Sequence, residues 1–284
     1  MNKRKFTGNL LLIIIAFIAV ILCIIIVCQY YIIPNQKYNN AIKLYNSEKY
    51  KDAYEAFNSL NYKDSRSKAK EALFNKQISR LYSANVGETV YLGAYEQDNN
   101  QSNGREEIEW FILTKKDDKA LVVSRYVLDC KSYNDKYNDI TWKSSSIRKW
   151  LNESFYIKAF GPQYENIIAD TEIYENSTDK SGTTVDSVFL LSENEVTNYL
   201  KNDEMRKGIP TDYALANGVN VCYEFSSENE PTSWWWLRSY KNDDNYIAAV
   251  NADSSLFYLG DCVGYINGGV RPAMWINMKN TTKD

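Results

Sequence analysis

Trp234-Trp235-Trp236-Leu237-Arg238-Ser239, answered later in the chain by Gly268-Gly269-Val270-Arg271-Pro272-Ala273-Met274-Trp275, is the pair of segments on which the fold turns. Tryptophan is costly to expose and its indole N–H needs an acceptor when buried, so three in a row must be divided between a core and something else. Read as a strand, the run puts Trp234, Trp236 and Arg238 on one face and Trp235, Leu237 and Ser239 on the other. One face is then core and the other a surface. Aromatic rings beside Arg238 and Tyr240 would offer a flat apolar platform with a fork of donors, the chemistry that recognises a sugar or a peptide. The competing assignment puts Trp235 and Trp236 in the core and gives Arg238 and Arg271 to buried carbonyls or carboxylates. Under that assignment Trp234 and the loop after Ser239 keep the claim to a ligand. The candidate ligand-binding residues are therefore Trp234, Trp236, Arg238, Tyr240 and Asp253.

The N-terminus decides which chemistry is within reach. Leu10 to Cys28 is an uninterrupted apolar run, close to the ~20 residues that a helix needs to cross about 30 Å of hydrocarbon. Lys3, Arg4 and Lys5 precede it and no basic residue follows until Lys37. The positive-inside bias then makes residues 1–9 a cytoplasmic tail and 10–33 a single transmembrane helix, with the remainder extracellular. A cleaved signal peptide has a shorter apolar core that ends in a small-x-small site, whereas this run ends Ile26-Val27-Cys28-Gln29. Leu22 before Cys23 and Val27 before Cys28 also fail the small-residue requirement of a lipid-modified cysteine.

Composition narrows the classes further. The chain has 33 Lys and Arg against 36 Asp and Glu, and three of the basic residues stand before the apolar run, so the outer part is acidic and ill suited to nucleic acid. There is no histidine, which removes the commonest metal ligand, the commonest general base and every histidine-containing triad. Three cysteines, Cys130, Cys222 and Cys262, lie outside the apolar run at wide spacing, and no disulfide framework is legible in them. Asp243, Asp244, Asp253 and Asp261 follow the tryptophan run, but calcium takes ~6–8 oxygen ligands and no EF-hand-like spacing is present. They read as solvated loop charges. No catalytic residue, metal or cofactor is assigned.

Beyond the span the grammar changes once. From about residue 36 to 83 apolar residues recur at helical spacing, and Tyr50, Ala53 and Phe57 resemble the second half of a tetratricopeptide-type repeat, in which a small alanine lets paired helices approach. One such repeat makes a helical stalk, or else a module that binds a peptide or self-associates. From Val86 onward strands and turns take over. Glu88 to Gly93, Glu107 to Thr114 and Ala120 to Ser124 read as strands, the last two joined by the turn Lys115-Lys116-Asp117-Asp118. Ser144 or Ser145 opens a helix carrying Ile147, Trp150 and Leu151; Val188 to Leu191 reads as a short buried strand. Ser192 and Glu195 form a capping box for the next helix. A last short helix, Asp212 to Asn217, is stopped by Gly218.

Taken together, Glu109-Trp110-Phe111-Ile112-Leu113, Ile140-Thr141-Trp142 with Ser144 to Asn152, Val188-Phe189-Leu190-Leu191-Ser192, Trp235 to Ser239 and Gly269 to Ala273 resemble the signature of the DUF6273 domain, a domain of unknown function, over residues 86–278, followed by a polar tail at 279–284. The late tryptophan segment and the closing Gly-Val-Arg are in turn similar to those of the sulfatase-modifying and C-type-lectin-like folds. The resemblance implies an α+β domain of C-type-lectin-like or sulfatase-modifying-like type, with small twisted antiparallel sheets and short helices. In those relatives the closing arginine ties the last strand to the core. Copper-dependent oxidation of the formylglycine-generating kind uses a closely spaced cysteine pair, which Cys222 and Cys262 do not supply. The expected function is a membrane-anchored extracytoplasmic protein that binds or displays a glycan or peptide at the cell envelope without turnover. The alternatives are an envelope-acting enzyme using paired carboxylates and an assembly protein that works through its helical stalk.

Overall fold

Leu12–Asn46 forms one continuous helical stretch of 35 residues that is long and apolar enough to cross a membrane. The computed structural model describes residues 2–138, 140–174, 182–225, 230–241 and 245–278, with side chains from residue 12 onward. Its first helix, α1, runs Asn2–Val27. The side chains from Leu12 to Val27 are all exposed. Tyr30 and Tyr31 follow, also exposed. A π-turn at Cys28–Ile32, with the Ile33 N–H bonded to the Cys28 carbonyl, carries the chain into α2, Ile33–Asn46. Pro34 lacks the N–H that an α-turn would need there, and the wider turn absorbs the mismatch.

The chain divides into two units, residues 1–76 and 77–284. In the first, α2, α3 (Tyr50–Asn58) and the start of α4 (Ser65–Ser83) pack around Ala41, Ala53, Phe57, Ala69 and Ala72. Alanines at the contacts let the helix axes approach, and Tyr38, Tyr45 and Tyr54 close the cluster from its edge. The Tyr38 and Tyr45 hydroxyls donate to Asp64 at 2.5 Å and to Glu71 at 2.6 Å. Among the described residues from Tyr38 to Lys76 no large apolar side chain is exposed.

The second unit is mixed helix and sheet. Thr89–Tyr95 (β1), Glu106–Lys116 (β2) and Lys119–Ser124 (β3) form an antiparallel meander. Asp117 and Asp118 turn it with φ of 51° and 60°, the left-handed pair that matches the twist of a two-residue hairpin. Two short strands follow, Asp129–Cys130 (β4) and Ile168–Ala169 (β5), and between them lies one continuous helical run made of α5 (Ser146–Trp150), a π-turn and α6 (Tyr156–Ala159). Thr171–Ile173 (β6) pairs with Thr184–Asp186 (β7). Then come α7 (Glu193–Tyr199), α8 (Asp203–Arg206) and α9 (Asp212–Ala216), and the small ladder of β8 (Val221–Cys222) with β9 (Thr232–Ser233). The last strands are β10 (Trp235–Tyr240), β11 (Tyr246–Val250), β12 (Leu256–Cys262), β13 (Gly269–Val270) and β14 (Ala273–Asn277).

These strands build two five-stranded sheets, ordered β1-β2-β3-β14-β5 and β12-β11-β10-β13-β4. Their pairings are antiparallel, apart from β13, which runs parallel to β10 through Trp235 and Gly269. Only Arg271 and Pro272 separate β13 in one sheet from β14 in the other, so the closing segment is the seam between them. The capping box forms, with Ser192 and Glu195 bonded reciprocally, and Thr211 caps α9 before Gly218 ends that turn at φ 90°. One expected strand differs. Val188 to Leu191 is fully buried, yet it joins the sheets through isolated contacts, a bridge between Phe189 and Ala273 and the Arg238 N–H donating to the Leu191 carbonyl at 2.9 Å. Asn152 at its start and the Arg238 guanidinium on the Leu190 carbonyl supplement these backbone bonds in place of a continuous ladder.

Candidate functional site

Trp235 and Trp236 are both completely buried, so the strand presents a covered ring on each of its faces. On one side the Trp235 indole donates to the Arg206 carbonyl at 2.9 Å, and the Arg271 guanidinium lies 4.7 Å from its ring centroid. On the other, the Trp236 indole donates to the Lys131 carbonyl at 2.9 Å and its ring meets Tyr133 edge-on. Trp234 is only half-buried. It stands nearly perpendicular to Trp236, with centroids 4.6 Å apart at 83°. Gly268 makes room for both rings, since a Cβ at that position would overlap the Trp236 indole nitrogen and sit 2.8 Å from Trp234 Cη2.

The remaining candidates are dispersed. Arg238 is buried, donating to the Leu190 carbonyl at 2.6 Å and to Glu195 at 2.5 Å, with its guanidinium over the Phe189 ring. Since Glu195 also accepts from the Ser192 N–H, Arg238 fastens the start of α7 to the sheet. Tyr240 is exposed at the far end of β10, about 20 Å from Trp234 at ~3.3 Å per residue. Asp253 sits in the turn after β11, at the Trp235 end of the sheet, because Trp235 pairs with Val250. Its carboxylate accepts from the Ser255 hydroxyl at 2.6 Å and N–H at 2.9 Å, bonds that hold its pKa below the ordinary value. Asp243 and Asp244 lie outside the described residues. Burial raises the pKa of Asp261.

Around Trp234 the fold gathers residues that strand alternation did not single out. Val221 pairs with Ser233 and Cys222 with Thr232, which sets Asn220 across from Trp234. Asn220 in turn donates its N–H to the Asn267 carbonyl at 3.1 Å. Three backbone segments therefore run side by side here, and they present Tyr223, Phe225, Tyr265 and Ile266 to solvent. The signal for the last two was an apolar pair, Tyr265-Ile266, set among Gly264, Asn267 and Gly268 where a turn was due. The fully buried Trp110, Trp142, Trp235 and Trp236 each donate the indole N–H, to Leu92, Asp186, Arg206 and Lys131 respectively. The Trp234 N–H has no partner among the described residues.

All five cysteines are free thiols. Cys130 is buried beneath this region, its S–H donating to the Ile266 carbonyl at 3.4 Å, and burial pushes its pKa up to about 11. Among the described residues one group, Glu96, Asp98 and Glu106, brings acidic oxygens within 4.8 Å of one another; none of the three was among the expected site residues.

Residues 117–278 match the family model described as a domain of unknown function, DUF6273. No curated protein and no solved structure matches the chain.

Proposed function

The chain belongs to the DUF6273 family, and we propose that it is a non-catalytic binding protein, anchored in the cell membrane with its N-terminus cytoplasmic, whose outer domain holds an envelope glycan or peptide against Trp234. The observation that carries this reading is the contrast within one tryptophan run. Two indoles are sealed and hydrogen-bonded, while the third is half-buried and its N–H has no partner among the described residues. A pyranose ring or an extended peptide offers both an apolar face to stack and an acceptor for the indole N–H. Trp236 supports the reading from beneath, since its edge-on contact fixes the orientation of Trp234. The apolar first helix favours an anchor, and Lys3, Arg4 and Lys5 on its N-terminal side favour the orientation. The two sheets closed by a shared last segment fit a C-type-lectin-like domain, in which loops at one end of the sheets carry ligands. The well-covered helical core of residues 38–76 favours the stalk over a second binding module.

The test uses the full chain in detergent micelles, titrated calorimetrically with β-1,4-linked N-acetylglucosamine oligomers and with muropeptides. Trp234→Ala is expected to weaken binding at least 10-fold, with Tyr240→Ala unchanged. Binding that survives Trp234→Ala, or an absence of binding to every probe, overturns the reading.

A further inference from the structure

Within the unit of residues 1–76 the chain folds back toward its apolar stretch. Tyr45 meets Tyr50 and Tyr38 meets Phe57, with ring centroids 5.5 and 5.7 Å apart, so α3 runs antiparallel to α2. The loop after α3 is thereby returned to the level at which α2 began. There the Lys63 ammonium donates to Asn35 Oδ1 at 2.9 Å, and the Tyr38 hydroxyl donates to Asp64. Ile33 ends the run of exposed aliphatic side chains, and Asn35 stands only about 3 Å beyond it along the helix axis, at ~1.5 Å per residue.

That turn is fixed and positively charged. Ser65 is buried, and its hydroxyl accepts from the Tyr62 N–H at 3.3 Å and donates to the Leu60 carbonyl at 2.9 Å. The Lys63 ammonium lies 5.0 and 5.2 Å from the Tyr38 and Tyr62 ring centroids. Lys63 itself takes a φ of 49°, a left-handed conformation that costs residues other than glycine and asparagine and that marks functional turns. Lys37, about 6 Å beyond Ile33 along α2, and Arg66, in the first turn of α4, are both exposed. Among the described residues neither has a hydrogen bond or an ion pair. Three cations thus stand against one carboxylate, Asp64, which is taken up by Tyr38. The far turn is different, because Lys43, Lys49 and Lys51 are balanced there by Glu48, Asp52 and Glu55.

We propose that Lys37, Lys63 and Arg66 form a collar that binds the phosphate of an anionic phospholipid in the leaflet next to the helical unit. The proposal rests on the anchoring of the first helix in a membrane; it does not depend on the orientation of that helix. The potential of an anionic leaflet falls off within a Debye length of about 8–10 Å, so it reaches the levels of Asn35 and Lys37. Asn46, at the far end of α2, is about 20 Å beyond Ile33, and the charges of that turn lie outside the field. The Arg66 fork and two ammonium groups match a phosphate that carries net charge. A zwitterionic headgroup brings its own cation and gains little from the collar. Exposed Tyr30 and Tyr31 sit just inside it, where aromatic side chains favour the membrane interface.

Two measurements on the full chain separate the anchor from the collar. Flotation with vesicles of dioleoylphosphatidylcholine alone reads the anchor; wild type and variants are expected to float, and a chain left in the soluble fraction overturns the anchor and this proposal with it. Native mass spectrometry from detergent micelles holding equal dioleoylphosphatidylglycerol and dioleoylphosphatidylcholine reads the collar. The phosphatidylglycerol adduct is expected to exceed the other by about 5-fold or more. Lys37→Gln/Lys63→Gln/Arg66→Gln brings the two lipids near parity, whereas Lys37→Arg/Lys63→Arg/Arg66→Lys and the far-turn variant Lys43→Gln/Lys49→Gln/Lys51→Gln keep the preference. Far-ultraviolet circular dichroism verifies folding, and Lys37→Gln/Arg66→Gln, which leaves the Lys63–Asn35 bond in place, replaces the first variant if that one unfolds. Equal adducts on a floating wild-type chain, a preference that survives in the folded charge-removing collar variant, or an equal loss in the far-turn variant overturns the collar and leaves the anchor standing.

Discussion

Arg271 lays its guanidinium over the indole of Trp235, 4.7 Å from the ring centroid, and the two side chains donate to the same carbonyl, that of Arg206. Two further bonds, from Nε at 3.0 Å and Nη2 at 2.8 Å, go to the Ser124 carbonyl at the end of β3. A fully buried cation therefore stands at the seam of the two sheets, solvated by backbone oxygens in place of a carboxylate. Burial lowers its pKa to about 9, which leaves it charged at neutral pH.

Replacing that arginine strands several buried carbonyls at once. Arg271→Met is expected to destabilise the unit of residues 77–284 by about 3 kcal/mol or more, the range for removing one side of a buried charged hydrogen-bonding network. Arg271→Lys does not rescue it, because one ammonium cannot span Ser124 and the 205–207 carbonyls as the planar fork does. Urea denaturation followed by tryptophan fluorescence measures both, and a loss below about 1 kcal/mol for the methionine variant refutes the role.

Gly268 is required by space. A Cβ at that position meets the Trp236 nitrogen and Trp234 Cη2, so Gly268→Ala must displace an indole that is bonded to Lys131. The expected cost is ~1–3 kcal/mol, with a changed near-ultraviolet circular dichroism spectrum. At Gly264 the nearest atom to an added Cβ is 3.8 Å away, and Gly264→Ala is expected to be neutral. Equal effects at the two positions would dismiss the packing argument.

Asn152 sits in the π-turn between α5 and α6 and clamps the start of the buried Val188 segment. Its Oδ1 accepts from the Ser187 and Val188 N–H groups at 2.9 and 3.1 Å, and its Nδ2 donates to the Val188 and Arg148 carbonyls at 2.8 and 3.1 Å. Asn152→Ala is expected to lose about 2–3 kcal/mol, and Asn152→Asp, which keeps the two acceptor bonds, less. Thermal melts of the two variants decide; an aspartate as damaging as alanine would assign the effect to charge burial.

Cys130 gives the alkaline response a sign. Its pKa rises from 9.0 to about 11 through burial, so the folded state keeps a proton that the unfolded state releases. Its contribution to stability is fully present below pH 9 and is lost as pH climbs through 11. Cys130→Ala should flatten that part of the decline. Iodoacetamide at pH 8 should modify Cys222 and Cys262, both half-exposed, well before Cys130, as read by peptide mass spectrometry. Equal labelling rates would contradict the burial.

The elements that depend on near neighbours were legible in the sequence. The β2–β3 hairpin, the Ser192–Glu195 box and the short helix that Gly218 stops rest on contacts within a few residues, and all three are present. Val188 to Leu191 was harder, because an apolar run looks alike whether a ladder or a side-chain clamp satisfies its backbone, and Asn152 lies far off in sequence. The β1–β2 acidic loop passed unnoticed since Glu96, Asp98 and Glu106 converge only when the two strands pair.

The sequence by itself determined the apolar span, the alternation of faces in Trp235–Tyr240, and the need for an acceptor at each buried indole. It did not determine which tryptophan stays at the surface. Alternation assigns residues to two faces but says nothing of what covers them, and here both faces are covered by distant segments: Arg206 and Arg271 over Trp235, Lys131 and Tyr133 over Trp236. Only the tertiary structure, by ending that cover at Gly268, leaves Trp234 with an open face.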